Sequence, residues 1–265
     1  MKKHRRKAQK KPRGLVRTPS PQQPAPRSAE AVAHLPANDE LAPWHITSMG
    51  CLVASAVLVV LMFVAFFVDV PLANWIRHDQ KPIKGDLLRL IMLGEVFGYG
   101  LSVVMIIITA GVLDVRGWRV APRLLLGGLG SGIFSDCCKI FVARWRPNTE
   151  FRPEGFRDSF VGWLPLIWRS DLPGEWNRGL QSFPSGHSAT AVGLALALSI
   201  LYPRGTWWFL VLAALAMFQR VVSSAHYLSD TLAGAAVACL FTALLLHWHW
   251  LERWLRRIEL LPQSP

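Results

Sequence analysis

The sequence predicts an all-α protein: a bundle of six transmembrane helices preceded by a disordered basic tail. Two observations carry this expectation. Hydrophobic residues make up 52% of the 265 and charged residues only 17%, well under the about 25% of soluble domains. The apolar residues are also gathered into long runs separated by short polar stretches. That is the pattern of a chain whose outer surface meets lipid, not of one large soluble core.

Six runs qualify as spans. They cover about Ile46 to Val68, Leu87 to Leu113, Leu124 to Val142, Ser185 to Tyr202, Thr206 to Val222 and Leu228 to Trp250. The first carries no charge and is long enough for about 30 Å of hydrocarbon. Pro203-Arg204-Gly205 forms a tight turn between the fourth and fifth. Trp44, Trp75, Trp118, Trp207, Trp208, Trp248 and Trp250 stand at segment ends, where an aromatic belt is expected.

The net charge of +12 is concentrated in residues 1–43, where ten Lys/Arg face only Glu30, Asp39 and Glu40. A basic stretch just before a first span fits the positive-inside rule and a contact with membrane lipids, not with nucleic acid. Pro, Gln and Ser between Thr18 and Pro26 favour disorder. The apolar run starts too late and runs too long for a cleaved signal peptide. The expected division is therefore a tail over 1–43 and a membrane domain over 44–265. With the N-terminus cytoplasmic, the inner loops and C-terminal end hold Arg116, Arg119, Arg123, Arg204, Arg253, Arg256 and Arg257. The loop from Ala143 to Pro184 then faces outward, and both termini lie inside an inner or plasma membrane. Cys51, Cys137, Cys138 and Cys239 show no metal-ligand spacing and read as buried thiols.

Three polar clusters fall at the outward ends of these helices. Lys139 and Arg146, with Pro147 after them, are two helical turns apart, so both cations can share a helix face that Pro147 ends. Pro184-Ser185-Gly186-His187 runs into the fourth span. There Ser185 is a natural N-cap and Gly186 lets an anion approach the free amides. Arg220, His226 and Asp230 form the third cluster, with His226 and Asp230 spaced to meet on a helix. Taken singly, these are a snorkelling lysine, a capped turn and a solvated His–Asp pair. Together they supply the cations, amides, carboxylate and two histidines that phosphoryl transfer uses. No carboxylate cluster for two metals is present, and no cofactor is expected. Asp136 can pair with Lys139, Glu95 is a weak partner for Arg89, and the Gly127–Gly132 stretch reads as helix packing.

At these residues the chain resembles the phosphatidic acid phosphatase type 2 / haloperoxidase superfamily, in its membrane lipid phosphatase branch. The signature is Lys-x6-Arg-Pro, Pro-Ser-Gly-His and Ser-Arg-x5-His-x3-Asp, met here from Lys139 to Asp230, with Gln219 where the family has Ser. The resemblance implies that His226 attacks phosphorus and forms a phosphohistidine, that Asp230 orients it, and that His187 protonates the leaving alcohol. It implies that Lys139, Arg146 and Arg220, with Ser185 and Gly186, bind the phosphate, without a metal. The expected substrate is a lipid phosphate, either a phosphomonoester like phosphatidic acid or a polyprenyl pyrophosphate. A vanadate-dependent haloperoxidase and a non-catalytic anionic-lipid binder or transporter are the competing readings.

Overall fold

The computed structural model describes residues 46–77, 83–164 and 178–260. The tail, Trp44 and Trp168 lie outside them. Helix α1 (Ser48–Ala65) starts where extended Thr47 accepts a hydrogen bond from the Gly50 amide at 3.0 Å. It is apolar on every side. Cys51, Ser55, Met62 and Ala65 turn inward, while Val53, Val57, Val60 and Phe63 stay exposed. An apolar outer face of this kind is stable only against lipid.

A short helix, α2 (Asp69–Arg77), follows. The second apolar run is not one continuous helix but three: α3 (Gly85–Leu93), α4 (Glu95–Gly98) and α5 (Gly100–Leu113). The two halves are bent by 72° at the break. Two close approaches explain why glycine stands there. A Cβ on Gly94 would lie 2.8 Å from the Leu215 carbonyl oxygen, and one on Gly98 would lie 2.7 Å from that of His187.

Helix α6 (Gly117–Phe141) contains a π turn at Leu126–Gly130 and ends in a 3-10 turn, Lys139–Phe141. Its glycine run is a packing surface, as the sequence suggests: a Cβ on Gly127 would come within 2.9 Å of the Gly193 carbonyl, and one on Gly128 within 3.1 Å of Val103. The expectation that this helix reaches Pro147 is corrected. Ile140, Phe141 and Val142 favour extended backbone, and Val142–Arg144 is a strand, β1, antiparallel to β2 (Phe160–Trp163). The sheet is the exception in a helical protein.

The centre is α7 (Gly186–Leu201), with thirteen of its sixteen residues buried. It packs between α6, α8 (Thr206–Val222) and α9 (Leu228–His247). At about 24 Å it is shorter than the hydrocarbon layer, because Ser185 caps it inside the protein. Among the described residues, four helices are long and apolar enough to cross a membrane, and a fifth counts if the bent pair is one span. The chain is an integral membrane protein. Helices stand at all six expected positions, but α7 is short and the second is broken.

The last run ends at His247, not Trp250, and turns into α10 (His249–Leu260). Arg123, expected in a loop, lies within α6 instead. Arg123 is buried and donates to Glu259 Oε1 (2.6 Å) and Glu252 Oε2 (2.9 Å) on α10. The cysteine reading is corrected in part. Cys51 and Cys239 are buried, but Cys137 is exposed and Cys138 partly so, on the outer side of α6; all four are free.

Candidate active site

The C-terminal ends of α6 and α8 and the N-terminal ends of α7 and α9 meet at one end of the bundle. A Cβ on Gly186 would stand 2.7 Å from Asp136 Oδ1 and 3.5 Å from Lys139 Nζ. Glycine there keeps the ammonium beside the first turn of α7. The Ser185 amide donates to the Asp230 carbonyl (3.0 Å), and the His226 amide donates to that of Arg220 (3.2 Å). Arg220, Lys139 and Arg146 are cations close enough to His187 to act on it electrostatically. The structure thus brings together all eight residues singled out from the sequence. Lys139 and Arg146 converge from a helix end and from beyond a strand, not along one helix face.

His226 is not on a helix, as the four-residue spacing implied. It precedes Tyr227, the N-cap of α9, and Asp230 is the third residue of that helix. Its Nδ1 lies 2.8 Å from the Ser182 carbonyl oxygen and 3.7 Å from Asp230 Oδ2. A carbonyl only accepts, so Nδ1 carries the proton and Nε2 keeps its lone pair. Burial pushes the His226 pKa below its ordinary value; the Asp230 carboxylate opposes this, while Arg146 and Lys139 add to it. His226 is 2% exposed, whereas His187 is partly open at the rim.

Asp230 itself is fully engaged. It accepts from Arg144 Nη1 (2.5 Å), Ser182 Oγ (2.6 Å) and the Tyr227 amide (2.9 Å). Arg144 also donates to Asp69 Oδ2 (2.8 Å), Ser229 Oγ (2.7 Å) and Ser159 Oγ (3.0 Å), and its guanidinium lies 4.2 Å from the Tyr227 ring centroid. Burial opposes the charge on Arg144, yet Asp230 and Asp69 outweigh it and hold its pKa above the usual range. Arg144 and Asp69 were missed in the sequence. The signal available was a second arginine inside the Lys139–Arg146 interval.

Lys139 and Arg220 have carboxylate partners. Lys139 pairs with Asp136 (2.7 Å), the expected contact, and Arg220 pairs with Glu95 (2.7 Å). Arg89 instead pairs with Asp86 (3.0 Å). Gln219 accepts from Arg220 Nε at 2.6 Å, so the departure from serine adds a partner for that arginine. The Ser185 hydroxyl accepts from the Ser188 amide (3.4 Å) and hydroxyl (3.0 Å), leaving the first amides of α7 to meet an anion. Among the described residues, no group of three His, Cys, Asp or Glu side chains stands together as a metal site.

A model of the PAP2 superfamily matches residues 121–254, half of the chain. The protein belongs to the PAP2 superfamily. Two curated PAP2 relatives, the lipid A 1-phosphatases of Rhizobium johnstonii and Rhizobium etli, are each 32% identical over 114 residues. The match covers 43% of this chain and 41% and 44% of theirs. This chain therefore spans less than half the length of those relatives. No solved structure matches it significantly.

Proposed function

We propose that this PAP2 protein is a lipid phosphate phosphatase that works through a phosphohistidine. The observation that carries the reading is the Nδ1 tether of His226 to Ser182, which leaves Nε2 as a free nucleophile near Lys139 and Arg146. Nε2 attacks phosphorus, forming an N–P bond as the ester P–O bond breaks. Lys139, Arg146, Arg220 and the first amides of α7 hold the non-bridging oxygens as charge builds on them. The bound phosphate dianion offsets the surrounding cations and lets His187, more open than His226, take up a proton, which it then gives to the leaving oxygen. It then takes a proton from the water that attacks the phosphohistidine and releases phosphate. Asp230, 3.7 Å behind the ring, offsets the positive charge of the phosphorylated imidazole. Its ion pair with Arg144 keeps it ionised, so it takes no proton.

The site lies where apolar helices end, at head-group depth, which supports a lipid substrate. The opposite end carries Arg204 and the α10 arginines, which by the positive-inside rule supports a cytoplasmic position for that end and an outer, periplasmic one for the site. Phosphatidic acid, a polyprenyl pyrophosphate and, from the names of the relatives, an acylated sugar phosphate are the carriers to test. Reconstituted protein given these lipids with a chelator present is expected to release phosphate from at least one. No release from any would leave an anionic-lipid binder, and loss of release with chelator would require a metal.

A further inference from the structure

Besides Asp69, Glu95 and Tyr99 reach the site from outside the family match, which begins at residue 121. Glu95 and Tyr99 stand one helical turn apart across α4, with the Tyr99 amide donating to the Glu95 carbonyl (2.9 Å). The break in the second span turns both toward the site. Glu95 Oε1 meets Arg220, yet 43% of its side chain stays accessible. The Tyr99 ring stacks beside His187, with centroids 6.1 Å apart and planes 29° from parallel, and Tyr99 is 47% exposed. From this corner an apolar groove of about 660 Å³ runs past Val96, Ser102, Ile106 and Leu198 to Tyr202 and Asp114 at the far end.

Resting on the phosphatase reading above, we infer that Glu95 and Tyr99 form the leaving-group subsite, and that it takes the sugar ring of an acylated glycolipid phosphomonoester, with an acyl chain in the groove. His187 protonates the leaving oxygen, so what borders His187 away from the cations borders the departing alcohol. An aromatic face covers the apolar face of a sugar ring. Glu95 Oε1 holds Arg220, and Oε2 takes a long bond from Gln219 Nε2 (3.4 Å); an ionised carboxylate oxygen has a second lone pair, so Oε2 can still accept from a sugar hydroxyl or amine. The alternative carriers gain nothing from this corner. A diacylglycerol has its other hydroxyls esterified and offers no donor. A pyrophosphate brings a second anion toward the Glu95 carboxylate, which repels it.

The test compares kcat/KM on an acylated glucosamine 1-phosphate and on phosphatidic acid, in mixed micelles, for the full chain and for Tyr99→Ala, Tyr99→Phe and Glu95→Gln. The unaltered protein is expected to prefer the sugar lipid. Tyr99→Ala and Glu95→Gln are expected to lower the sugar-to-glycerol ratio by about tenfold or more, chiefly through KM, and Tyr99→Phe to restore it. Equal losses on both substrates, or an unchanged ratio, would overturn the subsite. Hydrolysis of phosphatidic acid without the sugar lipid would overturn the subsite and leave the phosphatase reading standing. Hydrolysis of neither would overturn the subsite, and failure on a polyprenyl pyrophosphate as well would overturn the phosphatase reading itself.

Discussion

Arg144 shows how much depends on one buried side chain. It is fully buried, with Asp69 and Asp230 paired to it and equally inaccessible. Removing one partner of such a cluster costs about 3–5 kcal/mol, because charges remain buried without compensation. Arg144→Met is therefore expected to lower the thermal midpoint in detergent by many degrees and to abolish phosphate release together with it. An unchanged midpoint would show that the cluster is not what holds α9 and β1 in place. His226 gives a second expectation at this scale. Burial lowers its pKa from the ordinary 6.5, so the neutral, nucleophilic ring persists to lower pH. The acid limb of kcat/KM should then lie below 6.5, and a limb at or above that value would indicate an exposed imidazole. The eight clustered residues were legible because each motif sits at a helix end that topology sends to the same surface. Asp69 was not. It lies 75 residues from Arg144 in sequence, and only the folded chain brings them together.

Among the elements, length and apolarity told most of the story, and local breaks were what they hid. Hydropathy reads the run from Leu87 to Leu113 as one span. The break depends on close approaches of Gly94 to α8 and Gly98 to α7, which a single sequence does not display. Likewise the four-residue spacing of His226 and Asp230 suggested a helical pair, while the true hydrogen-bond partner is a carbonyl, Ser182, 44 residues away. Helix α10 supplies the test at this scale. Its two buried acids, Glu252 and Glu259, are held by Arg123, while Arg253 and Arg257 stay outside. Arg123→Ala strands Glu259 and leaves Glu252 with its Arg256 contact (2.7 Å) but no tie to the rest of the bundle, so α10 is expected to come loose and expose Arg253 and Arg257 to trypsin. Combining Arg123→Met with Glu252→Gln and Glu259→Gln should restore protection. Trypsin resistance in Arg123→Ala would mean that the apolar contacts of α10 suffice.

For the whole molecule, the spans place a polar centre at one end of an otherwise apolar body. The family match covers that centre, from α6 to α10, while α2 and the broken span add Asp69, Glu95 and Tyr99 to it from the N-terminal side. On this reading the core performs the transfer and the N-terminal helices complete and shape it. Peptide mapping by mass spectrometry, after rapid acid-free quenching of the reconstituted protein turning over a lipid phosphate, tests the reading most directly. The expected result is one phosphoryl group on the peptide carrying His226, stable to base, lost in acid and absent from His226→Ala. Phosphorylation of another residue, or steady phosphate release by the His226→Ala protein, would contradict it.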